Sequence, residues 1–250
     1  MYKIAIYGKG GIGKSTITSN VAAAFADMGH TVMLIGCDPK ADSTKNLCGA
    51  EKLSTVLDVM RGKGDGAVAL HDIVGRGYKG VLCVEAGGPT PGIGCAGRGV
   101  ITAFEKLEEL EAFETYKPDI VLYDVLGDVV CGGFAMPIRD GYAKQVFVAT
   151  SGEKMSIYAA ANIVSAIDNF KDRGYARLAG FILNARNVEN EQALVQELAA
   201  ESGSTILKTV PRSGTVQQAE ALGKTVVEAF PESEMAGEYR SLAKKMLEVC

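Results

Sequence analysis

Apolar residues along this chain fall into short runs separated by segments of helical period. Residues 3–7, 31–36, 80–85, 120–124, 145–149, 178–183 and 205–208 are short and rich in Val, Ile or Leu. A strand with one wet face alternates apolar and polar positions, whereas a parallel strand covered on both faces stays apolar. These runs read as the second kind. Between the first two, residues 14–28 set Ile17, Val21, Ala24, Phe25 and Met28 on one helical face, and Gly29 is placed to end that helix. Residues 100–111, 156–171, 189–201, 216–222 and 235–249 carry similar patterns. Strands alternating with helices predict right-handed βαβ units, and so an α/β fold with a doubly wound, mostly parallel sheet flanked by helices. No repeat, low-complexity tract or linker interrupts the pattern, so residues 1–250 are expected to form one domain.

Two stretches have no period. Residues 85–99 contain Gly87, Gly88, Gly92, Gly94, Gly97 and Gly99 with Pro89 and Pro91, and residues 127–137 are also glycine-rich. Long irregular loops inside an α/β unit are commonly functional.

Composition narrows the function classes. Hydrophobic residues make up 47% and charged residues 22%, ordinary for a soluble globular chain. The net charge is -4, from 26 basic and 30 acidic residues without a basic block, which argues against a nucleic-acid partner. No run approaches the roughly 18 apolar residues of a membrane span. The chain opens on a strand and not on a secretory signal, so a cytoplasmic location is expected. In such a compartment the six cysteines are poor candidates for disulfides. Each is either a small buried hydrophobe or a metal or cluster ligand. A zinc site is unsupported, because there is no C-x-x-C pair and His30 and His71 lack ligand spacing.

The first strand runs into Gly8-Lys9-Gly10-Gly11-Ile12-Gly13-Lys14-Ser15, with Thr16 next in the opening helix. This is G-x-x-x-x-G-K-S/T in its required strand–loop–helix setting, a P-loop. Glycines let backbone N–H groups turn inward around phosphate oxygens, and the helix N-terminus adds partial positive charge. Lys14 is placed for the β- and γ-phosphates, and Ser15 for Mg²⁺. Two further carboxylates end apolar strands at the edge where α/β sheets bind ligands. Asp124 closes the run from Ile120 and reads as a magnesium ligand; Asp38, in Gly36-Cys37-Asp38-Pro39-Lys40-Ala41-Asp42-Ser43-Thr44, reads as a group that holds Mg²⁺ or positions the attacking water. Asp42 is a candidate nucleotide contact, although Asp42 and Ser43 are equally suited to capping a following helix.

Cys95 lies in Gly92-Ile93-Gly94-Cys95-Ala96-Gly97-Arg98-Gly99, and Cys131 in Gly127-Asp128-Val129-Val130-Cys131-Gly132-Gly133-Phe134. Glycine-rich surroundings make poor core but good cluster loops, whose amides can bond sulfides. Helices starting near Val100 and Phe134 would point positive ends at an anionic cluster. Burial is the better reading of Cys37, Cys48, Cys83 and Cys250.

These motifs carry a resemblance. The loop K-G-G-x-G-K-S/T, with its early Lys9, resembles the deviant Walker A group of partition, septum-site and arsenite-efflux ATPases and the nitrogenase iron protein. The two cysteine stretches look like those of the nitrogenase iron protein family, and the likeness extends from the first strand to about Arg240. It implies an ATP-dependent reductase, a homodimer in which Cys95 and Cys131 of each copy hold one 4Fe–4S cluster. It implies MgATP and MgADP as ligands, Lys9 acting across the dimer, and Lys14, Asp38 and Asp128 as catalytic groups. It places Asn184, Arg186, Pro211, Arg212, Gln217 and Glu220 around the base and ribose, and Arg98 on a docking surface. The implied partners are a nitrogenase or nitrogenase-like catalytic component and a ferredoxin or flavodoxin donor, with neither nucleic acid nor membrane. A reductase for a tetrapyrrole enzyme of coenzyme F430 or bacteriochlorophyll synthesis is the nearest alternative, and a cluster-free positioning ATPase a more distant one. The chain departs from the family at Ser213, usually Asp, at Lys154, usually Met, and in stopping at Cys250 before the family's C-terminal extension. Because only six residues separate Asp124 from Cys131, loss of the γ-phosphate is expected to move Asp124 and Asp128 and with them the cluster loop.

Overall fold

Every apolar run becomes a strand of one eight-stranded sheet. The computed structural model describes residues 1–49, 51–88, 96–128, 133–139, 141–170 and 176–250. The strands are β1 (Tyr2–Gly8), β2 (Val32–Gly36), β3 (Gly75–Arg76), β4 (Leu82–Glu85), β5 (Ile120–Leu126), β6 (Gln145–Thr150), β7 (Arg177–Asn184) and β8 (Ile206–Val210). Their order is β3-β4-β2-β5-β1-β6-β7-β8. All neighbours are parallel except the edge pair β3 and β4. That edge strand was not predicted, because two residues are too few to show a period.

The unbroken apolar runs reflect burial on two faces. In β1, Ile4 and Ile6 join one hydrophobic cluster, and Ala5 and Tyr7 the other. The first cluster is closed by α1 (Lys14–Asp27), through Ile17 and Val21, and by the helix Glu234–Glu248, through Tyr239 and Leu242. The second is closed by the helices Ala96–Glu109, Lys154–Asn169 and Glu191–Glu201, through Phe104, Ile163 and Leu198. Each such side chain stabilises the fold by roughly 1.5–3 kcal/mol. The helix α1 ends as its sequence implied. Gly29 takes φ 91°, its N–H bonds to Ala26 O at 3.0 Å, and His30 N–H bonds to Phe25 O at 3.1 Å. These are the two bonds of a Schellman motif.

Several boundaries differ from the expected ones. The helix expected from residue 100 begins at Ala96. The helix expected near Phe134 is a single turn, Met136–Arg139, too short to carry a useful dipole. The segment between β2 and β4, for which no helix was expected, holds the helices Val56–Lys63 and Leu70–Ile73. The first is started by a local bond, Thr55 Oγ1 accepting from Asp58 N–H, and not by a long amphipathic stripe. Among the described residues no helix is long and apolar enough to cross a membrane.

The register gathers the functional ends. Asp124 in β5 pairs with Ile6 in β1 and with Gly36 in β2, and Gly36 pairs in turn with Glu85 in β4. The C-terminal ends of β1, β2, β4 and β5 therefore share one sheet edge, at the point where the strand order reverses around β1. Beyond that edge the chain is tied tightly. Gly127 N–H bonds to Gly8 O at 2.9 Å, and the buried Tyr7 hydroxyl donates to Phe134 O at 2.6 Å. Gly133 lies so close to Gly97 that a Cβ on it would run into the Gly97 backbone. No rotamer change can relieve a backbone overlap. Gly133→Ala is therefore expected to destabilise the protein by about 1–3 kcal/mol or more, read as a lower urea midpoint of the metal-free protein; an unchanged midpoint would contradict this packing.

Candidate nucleotide and cluster site

The phosphate loop is shaped by its glycines and pinned from outside. Gly11 and Gly13 take φ of 77° and 91°, a region that side-chain-bearing residues avoid. Asn184, the last residue of β7, donates its amide to Ile12 O at 2.6 Å, and Arg186 donates Nη2 to Gly11 O at 2.6 Å. Carbonyls held outward in this way leave N–H groups facing inward. The Gly10 N–H already serves an anion: both carboxylate oxygens of Asp128 accept from it at 3.0 Å.

Below the loop lies a buried ion pair. Lys14 Nζ sits 2.5 Å from Asp124 Oδ1, with the two side chains 4% and 0% exposed. Thr18 Oγ1 donates to the same oxygen at 3.2 Å, and Lys14 also reaches Ser15 Oγ at 3.4 Å. Burial alone would push the Asp124 carboxyl up, but the Lys14 ammonium, through its charge and its hydrogen bond, holds it below the usual carboxylate range with help from the Ser15 hydroxyl. Its other oxygen, Oδ2, is buried without a partner.

A second buried carboxylate, Glu85, was missed by the sequence reading. It is 1% exposed, and its Oε1 accepts from both the N–H and the hydroxyl of Thr44 at 2.7 Å. Its Oε2 has no partner and lies against Gly36, where any Cβ would collide with it. Burial pushes the carboxyl up to about 7, against the two Thr44 bonds that lower it, with Asp124 and Asp42 adding repulsion. The available signal was the one used for Asp124, an apolar strand ending in a carboxylate at the sheet edge.

The capping role considered for Asp42 and Ser43 is corrected. The short helix Lys45–Leu47 starts from Thr44 with no side-chain cap. Ser43 is buried with its hydroxyl unpartnered, and Asp42 opens instead onto the phosphate cleft. That cleft, of about 230 Å³, is lined by Lys9, Gly10, Gly11, Gly13, Lys14, Ser15, Thr16, Asp38 and Asp42, all marked by the sequence, and by Lys40, which was not. Gly8 ends β1, and Ile12 packs inward. Gly13 and Thr16 also line a neighbouring cleft of about 200 Å³, with Asn184, Arg186, Pro211, Arg212, Gln217 and Glu220. Thr16 donates to Glu220 across it at 2.8 Å. Ser213 N-caps the helix Gly214–Ala221, and Tyr239 is an unpredicted wall.

Cys95 and Cys131 lie outside the described residues. Arg98 is exposed on the helix Ala96–Glu109. Cys37 and Cys83 are buried as expected, whereas Cys48 and Cys250 are only half-buried. Among the described residues no group of three or more His, Cys, Asp or Glu side chains is placed to hold a metal.

A family model, 4Fe-4S iron sulfur cluster binding proteins of the NifH/frxC family, matches residues 2–249. The chain belongs to this family. It is 53% identical over 249 residues to a nitrogenase iron protein of Methanospirillum hungatei, covering 99% of this chain and 88% of that one. Among solved structures it resembles the cell division ATPase MinD of Pyrococcus furiosus, with a TM-score of 0.74 and 21% identity over 100% of both chains. It also resembles a ParA family ATPase of Chlorobium tepidum, at 0.72 and 16%, over 97% of this chain and 98% of that one. At these identities the likeness shows the P-loop ATPase fold alone. As a member of the NifH/frxC family the chain is an ATP-hydrolysing iron–sulfur oxidoreductase of the nitrogenase-reductase type.

The described residues suit both of the family's ligands. An amide already bonded to a carboxylate and a buried Asp124 oxygen without a partner fit a phosphate and its cation. For the cluster, the two cysteine-bearing segments touch at Gly97 and Gly133, each two residues past its cysteine.

Two outcomes follow for the metal-free protein. A double-mutant cycle of Lys14→Met and Asp124→Asn, read by urea unfolding, is expected to give a coupling above about 1 kcal/mol, because either single change strands a buried partner at about 3–5 kcal/mol; additive effects would contradict the pair. For Glu85 the folded carboxyl, at about 7, binds its proton more tightly than the free value of 4.5. Its contribution to stability is therefore full below the free value and is lost as pH rises through the folded one. Relative to Glu85→Gln, the native protein should lose up to roughly 3 kcal/mol across that window, and parallel stability profiles would refute this.

Proposed function

We propose that the chain is the electron-donating component of a nitrogenase-type system. Two copies share one 4Fe–4S cluster through Cys95 and Cys131 of each. The dimer passes single low-potential electrons to a nitrogenase or nitrogenase-like catalytic component, coupled to MgATP hydrolysis. When bound, MgATP supplies a hydrolysable phosphate and the cluster a one-electron carrier.

The observation that carries this reading is the stretch from Asp124 to Cys131. Asp124 holds Lys14, and Asp128 holds the Gly10 N–H. Phosphate entering the loop competes with both carboxylates for the same donors. Nucleotide binding therefore releases two points of one short segment, and Cys131 comes three residues later. A two-state element biased by phosphate in this way is the device by which nucleotide switches act. Lys14 then serves the phosphates, Ser15 and Asp124 the cation, and Asp38 and Asp128 the orientation of water. Lys9, at the cleft mouth, is suited to reach a second copy's nucleotide. Asn184, Arg186, Pro211, Arg212, Gln217 and Glu220 form the base and ribose end, and exposed Arg98 marks the docking surface.

On this reading residues 1–250 act as one P-loop domain in the cytoplasm, with a ferredoxin or flavodoxin as donor. The identity to the Methanospirillum protein supports a nitrogenase partner over a tetrapyrrole enzyme.

Anaerobic purification tests the proposal. A brown dimer with about four irons is expected, its iron released to a chelator faster with MgATP than with MgADP. Cys95→Ser or Cys131→Ser should remove the iron, and Asp124→Glu should keep the iron but lose the nucleotide response. A colourless dimer with full ATPase activity would sink the electron-carrier reading.

A further inference from the structure

We infer that Glu85 is a positioning residue that ties segment 38–44, a candidate switch segment because its Asp38 and Asp42 line the phosphate cleft, to the strand feeding Cys95. The nucleotide site thereby gains a second mechanical connection to the cluster, besides 124–131. The inference rests on the proposed function.

Glu85 is the last residue of β4, and the chain runs from it through 86–88 toward Cys95. Its Oε1 takes both donors of Thr44, the far end of the switch segment, at 2.7 Å each. All of these atoms are out of water, with Thr44 and Glu85 each 1% exposed. Two donors converge on this one carboxyl oxygen, and breaking their bonds in a dry interior strands polar groups. Motion of Thr44 therefore carries Glu85 with it.

A second contact reinforces the first. A Cβ on Gly88 would lie 2.8 Å from Pro39 Cβ, so backbone just beyond β4 rests on the near end of the same segment. Asp42, between these two anchor points in sequence, and Asp38, next to Pro39, line the phosphate cleft. Displacement of the switch by a phosphate or its cation is transmitted at both ends to 85–88. The side chain that does this must be long, because it spans the gap left by Gly36 between β4 and the switch. Neither Thr44 nor Glu85 lines the phosphate cleft or its neighbour.

Thr44→Val keeps the shape and deletes the hydroxyl bond, Thr44→Ser restores the hydroxyl, and Glu85→Gln keeps an acceptor but loses the charge. On the anaerobic holoprotein, MgATP affinity should be retained in all three. The MgATP-induced acceleration of iron chelation should fall at least about fivefold in Thr44→Val and Glu85→Gln, the lower end of typical coupling between sites, and recover in Thr44→Ser. Equal acceleration in all variants would overturn the tie, as would affinity falling in parallel with acceleration. Hydrogen exchange on the unmodified protein is an independent arm. Peptides covering 39–49 and 82–88 should change protection together on adding MgATP, and a change in only one of them would refute the tie. If unmodified protein shows no MgATP effect on chelation, the electron-carrier reading has failed, and the exchange result, which needs no iron, decides the tie separately.

Discussion

A lysine and an aspartate brought together out of water organise this molecule. Lys14 belongs to the helix that opens on the phosphate loop, and Asp124 to the central strand beside it, so their contact fixes helix α1 against the sheet edge. A buried pair of this kind is stable only while both partners are present. The same lysine is the one a P-loop offers to phosphate. On the proposed function the pair is both a structural tie and a placeholder, and this double use would make strand β5 responsive to what enters the cleft. Asp128 repeats the arrangement at the Gly10 amide, where its carboxylate stands in the place the proposed function gives to a phosphate oxygen.

Around the pair, missing side chains matter as much as present ones. Gly36 leaves room for the Glu85 carboxylate beside the strand that pairs with Asp124, and Gly133 lets its backbone lie on that of Gly97. Both are places where two functional segments meet at backbone distance. Close approach allows motion in one segment to be felt in the next, because packed backbone cannot deform without displacing its neighbour. The fold is shared with MinD and ParA ATPases, and the two cysteine segments follow β4 and β5 in sequence.

What was legible in the sequence was what local chemistry imposes. Strands buried on both faces must be apolar throughout, so the runs declared themselves, and the phosphate loop did so because only glycine takes the dihedrals of Gly11 and Gly13. Strand β3 and the helices Val56–Lys63 and Leu70–Ile73 were not legible. They are too short for a period and form through single caps and edge contacts. Glu85 carried a signal, a carboxylate ending a strand, but its partner Thr44 lies on another element and only the folded chain brings them together.

The sequence by itself determined the fold class, the phosphate loop and the two strand-end aspartates, because spacing along one strand–loop–helix unit is a local property; the residues that gather in the neighbouring cleft were implied by the family resemblance alone. Tertiary structure alone decided which donor each carboxylate holds. It paired Asp124 with Lys14, Asp128 with the Gly10 amide and Glu85 with Thr44, and it left Ser43 without a partner. The physical reason is that hydrogen bonds between elements depend on strand order and register, which are set by packing both faces of the sheet at once and are written in no single segment.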